Sequence, residues 1–145
     1  MLDEDPGWFC GVVVSVVGTS YFKKIPSEVS VKYSGSCHCQ KVKFEVETEI
    51  TEALSCNCSI CTRRGHLLHF VPKNQLNLLS GQNDLTDYQW GKKSIHFLFC
   101  STCGVAPFGH GPSPHGEMAA VNIRCLENFS YESIPLKNFD GKSLP

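Results

Sequence analysis

Charge of one sign is what this sequence lacks first: 13 basic side chains stand against 14 acidic ones, with no basic tail, in a chain of 145 residues. Neither nucleic acid nor an anionic membrane is an expected partner of so balanced a surface. Internal repeats, low-complexity tracts, heptads and charge runs are missing as well, which argues against solenoids, coiled coils and interaction tails. The apolar run from Phe9 to Val17 is too short to span a bilayer. Asp3, Glu4 and Asp5 stand where a secretory signal would carry lysine or arginine, so a cytoplasmic protein is expected. Val12, Val14 and Val16 alternate within that run, as either a strand or a poorly ordered leader, and the leader is the preferred reading. No segment sustains a helical period.

What remains is a chain of short alternating segments. Val42, Phe44 and Val46 share one face and Lys43, Glu45 and Glu47 the other, as in a half-buried strand over residues 41–48. His66 to Val71, Leu76 to Leu79, Lys93 to Phe99 and Glu117 to Ile123 read as further strands. Turns are expected at Ser80 to Asn83 and at Asn138 to Gly141. The proline- and glycine-rich stretch from Pro107 to Gly116 reads as a surface loop without regular structure. A mainly β domain from residue 31 to 145 is expected, with residues 1–30 as an N-terminal extension.

Cysteine is the outlier, at nine residues. The count is odd, and two Cys-x-Cys pairs would strain a local disulfide while letting both sulfurs face one cation, so metal binding is favoured over a disulfide framework. Seven of the nine fall into three groups: Cys37 and Cys39; Cys56, Cys58 and Cys61; Cys100 and Cys103. A structural zinc takes four ligands, while a catalytic zinc keeps three and one open position. Cys56, Cys58 and Cys61 can form a three-thiolate site from one loop, leaving Cys37, Cys39, Cys100 and Cys103 to close a four-thiolate site. Gly104 after Cys103 suits a zinc knuckle, whose turn needs a positive φ. An iron–sulfur cluster is the main competitor on ligand chemistry, and the unequal grouping argues against it. Cys10 and Cys125 are isolated and read as non-ligands.

Gly35-Ser36-Cys37-His38-Cys39, the strand Val42 to Val46, Cys56-Asn57-Cys58-Ser59-Ile60-Cys61, Phe99-Cys100-Ser101-Thr102-Cys103-Gly104 and the segment Ala119 to Leu126 together resemble the glutathione-dependent formaldehyde-activating enzyme family, which includes the centromere protein V domain. The resemblance covers about residues 33 to 140. It implies a β-tent fold, two zinc ions per chain and the same four-plus-three division of cysteines. It also implies carbon–sulfur lyase chemistry, with glutathione and a small electrophile such as formaldehyde as partners.

A zinc held by three thiolates is a weak Lewis acid, better suited to holding an incoming thiolate than to activating water. Arg63 and Arg64 follow Cys61 and could balance that charge or pair with glutathione carboxylates. His66 or His69 could donate a hydrogen bond, move a proton or fill the open position, and at most one faces the metal if both lie in one strand. His38 reads as a knuckle side chain, and His96, His110 and His115 as solvent-facing. The rival function is a non-catalytic zinc scaffold for protein interaction.

Overall fold

A computed structural model describes residues 30–144. The apolar run at 9–17 and Cys10 lie outside the described residues. Strands β1 (Val31–Ser36) and β2 (Lys43–Thr48) pair antiparallel, and β2 also pairs with β5 (Leu76–Ser80) to make a three-stranded sheet. The second sheet has seven strands, in the order β10 (Leu136–Phe139), β3 (Ala53–Cys56), β4 (Leu68–Pro72), β9 (Gly116–Asn122), β8 (Phe108–Ser113), β7 (His96–Cys100) and β6 (Leu85–Tyr88). Its pairings are antiparallel except β10 with β3, which is parallel. The expected mainly β architecture is therefore the observed one.

Strand alternation divides the interior into two cores. Along β9, Met118 and Ala120 join one cluster while Ala119 and Val121 join the other, because successive side chains leave a strand on opposite faces. On one face of the large sheet lie Val42, just before β2, and Phe44 and Val46 of β2, all fully buried, with Phe44 edge-on to Phe108 at 5.3 Å between ring centroids. Burying Phe44 alone is worth about 2 kcal/mol by area. On the other face, Leu68, Phe70, Ile95 and Phe97 pack with Cys56, Cys58 and Cys61. Each cysteine cluster is thus seated in its own core, on opposite sides of one sheet.

Four expectations need correction. The stretch from Pro107 to Gly116 is a strand for most of its length, not an irregular loop. Glycine is what permits this: a Cβ on Gly109 would come within 2.7 Å of the His96 carbonyl oxygen of β7. Pro112 lies beyond the two residue pairs that join β7 to β8, near the hairpin tip, where proline is tolerated. The turn expected at Asn138 begins only at Asp140, since Asn138 and Phe139 belong to β10. Among the described residues one α-helix occurs, α1 (Ser59–Arg64), but six residues are too few to show a period in the sequence. His66 precedes β4, so only His69 lies in that strand.

Candidate functional site

The sulfurs of Cys37, Cys39, Cys100 and Cys103 lie within 4.8 Å of one another. The first two stand in the turn between β1 and β2, where Gln40 at φ 64° folds the chain back and the Cys37 sulfur accepts a hydrogen bond from the Val42 N–H at 3.4 Å. Cys100 closes β7, and Cys103 follows in a turn sealed by the Gly104 N–H donating to the Cys100 carbonyl at 2.8 Å. Gly104 holds φ at 77° with open space around it, so conformation alone demands glycine there. Cys39 Sγ lies 3.6 Å from both Cys37 Sγ and Cys100 Sγ. That is too far for a disulfide and close to the separation of about 3.8 Å that four sulfurs at 2.3 Å from one tetrahedral ion would have.

The second cluster, Cys56, Cys58 and Cys61, is wholly buried, with its sulfurs also within 4.8 Å of one another. Cys56 ends β3, Cys58 caps α1 and Cys61 lies one turn along it, so a single strand-to-helix corner aims three thiols at one point. Gly65 in the left-handed region stops the helix, donating to the Cys61 carbonyl at 2.8 Å. The Cys58 thiol is held down to about 3 by hydrogen bonds from Cys56 and Cys61 and from the backbone N–H groups of Cys61 and Ile60. Cys56 is pushed up to about 11, chiefly by Cys58, and Cys61 is raised by both neighbours and by burial. Three buried thiols in contact resist a second ionisation unless a cation joins them, and an all-sulfur donor set suits a soft or borderline cation. Both clusters fit a metal ion on these grounds.

Two openings meet at this second cluster. Cys61 and His66 line a small, mainly apolar cavity with Arg64, Leu68, Ile95, Phe97 and Phe108. The same two residues line a wider, open cleft with Cys56, Asn57, Thr62, Arg124, Asn138 and Asp140. His66 Nε2 lies 3.3 Å from Cys61 Sγ, and burial, followed by the Arg64 charge, pushes the imidazole down to about 4. Both effects favour its neutral form.

A family model described as glutathione-dependent formaldehyde-activating enzyme matches residues 32–138. The chain belongs to that family. It is also similar to a Rhodobacter sphaeroides protein of known crystal structure, with 31% identity and a TM-score of 0.63, over 74% of this chain and 100% of that one.

Within this family member the residues singled out from sequence have diverse environments. Arg63 is turned back on its own helix, donating to the Ser59 carbonyl at 2.8 Å. Arg64 reaches the apolar cavity, with its guanidinium 5.9 Å from the Phe97 ring centroid and 5.6 Å from that of Phe99. His69 is fully buried away from the cysteines, 3.3 Å from Thr48 Oγ1 and 3.3 Å from the Glu52 carbonyl oxygen. Cys125 belongs to neither cluster, and burial pushes its thiol up to about 12.

Sequence reasoning missed the far wall of the cleft. Arg124 stands there, stacked over Tyr131 at 4.7 Å from the ring centroid and donating to its hydroxyl. Asn57, between two cysteines, clamps the C-terminal turn: its Nδ2 donates to Asp140 Oδ1 at 2.7 Å and its Oδ1 accepts from the Lys142 N–H at 2.9 Å. The position of Asn57 inside the cysteine motif was the available signal, and Arg124 lay in a segment quoted only for its family resemblance.

Proposed function

We propose that this protein is a zinc-dependent carbon–sulfur lyase that joins glutathione to a small aldehyde, formaldehyde foremost, giving an S-hydroxyalkyl adduct. The observation that carries the reading is that Cys61 and His66 form a wall common to a tight apolar cavity and an open cleft of mixed polarity. An electrophile of one or two carbons suits the cavity, and a tripeptide thiol suits the cleft. Cys37, Cys39, Cys100 and Cys103 would hold a structural zinc, and Cys56, Cys58 and Cys61 a second with a free position. Zinc in that second site supplies the positive charge that keeps a neighbouring thiol ionised at neutral pH.

The chain's own groups supply the rest. Arg124 at the cleft wall offers a planar pair of donors to a glutathione carboxylate. Neutral His66 is suited to take the thiol proton. The sulfur then forms its bond to the carbonyl carbon while the π pair passes to oxygen, and that oxygen gains the proton His66 received. Arg64, half-buried in the apolar cavity, favours the developing alkoxide, because a cation in low-dielectric surroundings interacts strongly with new negative charge. Phe97 and Phe108 keep water from the carbonyl.

Exchange spectroscopy with ¹³C-formaldehyde and glutathione measures adduct formation directly. The zinc-loaded protein should accelerate it and Cys58→Ser should not. If neither formaldehyde nor other small aldehydes react faster with protein than without, the lyase reading fails.

A further inference from the structure

The cleft beside Cys61 carries one carboxylate and one guanidinium among its lining side chains, Asp140 and Arg124. Strand register puts the carboxylate there. The parallel pairing of β10 with β3 sets Phe139 opposite Cys56, and the Asn57 N–H donates to the Phe139 carbonyl at 3.1 Å. Asp140 follows directly, so it emerges at the strand-to-helix corner that holds the three cysteines.

Both charges are oriented by neutral groups. Asp140 Oδ1 accepts from Asn57 Nδ2 at 2.7 Å, and Oδ2 accepts from Ser143 Oγ. These bonds hold its carboxyl below the usual range, while the charge of Lys142 acts only as the last and smallest influence. Arg124 lies over the Tyr131 ring and donates to its hydroxyl. The ion pairs of the described residues are made by other side chains, so neither Asp140 nor Arg124 has an ionic partner among them. An ionised carboxylate offers about four lone-pair sites, and the side-chain donors of Asn57 and Ser143 take only two.

A fixed anion and a fixed cation in one cleft are complementary to a zwitterion, and they disfavour a ligand that carries negative charge alone. The γ-glutamyl end of glutathione has an ammonium group with three N–H donors and no acceptor, which calls for a carboxylate. We propose that Asp140 binds this ammonium, so that the cleft selects thiols with a free amine over thiols bearing only carboxylates. The identity of the thiol rests on the lyase reading. Asn57 is the positioning residue: its amide holds the Asp140 carboxylate and the Lys142 N–H together, tying the substrate-binding turn to the cysteine motif.

Calorimetric titration of zinc-loaded protein without aldehyde tests the proposal, because binding is read without turnover. The two probes are glutathione and glutaryl-cysteinylglycine, which is glutathione with hydrogen in place of the ammonium. Wild type should bind the second about fivefold or more weaker, the size of a well-formed exposed charge pair. In Asp140→Asn, which keeps an acceptor for Asn57, glutathione should weaken to the level of its analogue and the preference should vanish. Arg124→Ala should weaken both probes and keep the preference. Equal binding of the two probes by wild type, or a preference that persists in Asp140→Asn, would overturn the proposal and leave the lyase reading standing. No binding of glutathione at all would overturn both. The wild-type comparison decides the matter even if a variant disturbs the turn.

Discussion

Gly141 lies directly against Cys56: a Cβ at this glycine would come within 2.6 Å of the Cys56 sulfur and 3.0 Å of Cys58 Cβ. The C-terminal turn is therefore a wall of the three-cysteine cluster, although the two are far apart in the sequence.

Gly141→Ala should push that turn away or displace the sulfur, at the cost of about 1–3 kcal/mol usual for overpacking. Metal analysis after mild chelation should find the three-cysteine cluster emptied sooner than in wild type and the four-cysteine cluster unaffected.

Asn57→Ala removes two hydrogen bonds to the same turn, worth about 1–2 kcal/mol together. Amide hydrogen exchange over residues 139–144 should accelerate, with little change in β1 and β2. Asp140 is held below the usual carboxylate range by Ser143 first and Asn57 second. Its contribution is present above the ordinary aspartate range and is lost as pH falls through the lowered value, so exchange at this turn should quicken in acid.

Cys100→Ser and Cys58→Ser should separate the two clusters. The first breaks a closed four-sulfur set at the junction of the two sheets, and denaturant unfolding should show most of the stability gone, since structural thiolate sites supply on the order of 10 kcal/mol to small domains. The second should retain the fold by circular dichroism while losing metal from its own cluster.

His69 is 2% exposed and burial pushes its imidazole down to about 4. An unfolded chain binds this proton near 6.5, so the unfolded state takes up more protons between 6.5 and 4. The folded state should therefore lose up to about 3 kcal/mol as pH falls through that window. His69→Asn should flatten this part of the stability profile, measured by urea unfolding at fixed metal loading.

Arg124→Ala should raise the KM for glutathione about tenfold or more, since a charge-assisted hydrogen bond is worth about 1.5–3 kcal/mol. Arg63→Ala should leave it near the wild-type value. Steady-state kinetics at saturating aldehyde distinguishes the two arginines.

Local pattern was enough to read the alternation of Val42, Phe44 and Val46 and the division of seven cysteines, because side-chain period and short ligand spacing are properties of neighbouring residues. The same locality explains what was misread. The segment after Pro107 has the composition of a loop, and it becomes β8 because the His96 carbonyl needs the space that Gly109 leaves. The six residues of α1 are too few to repeat a period, and their bend draws Cys58 and Cys61 toward Cys56. The arginines next to Cys61 in sequence turn onto their own helix and into the apolar cavity, while Arg124 reaches the cleft from sixty residues away. Sequence by itself determined which sulfur atoms can ligate and that the alternating segment around Phe44 and Val46 forms a strand. Tertiary structure alone decided which cation, which imidazole and which glycine stand beside the sulfurs, since those neighbours are chosen by sheet order and packing across the chain.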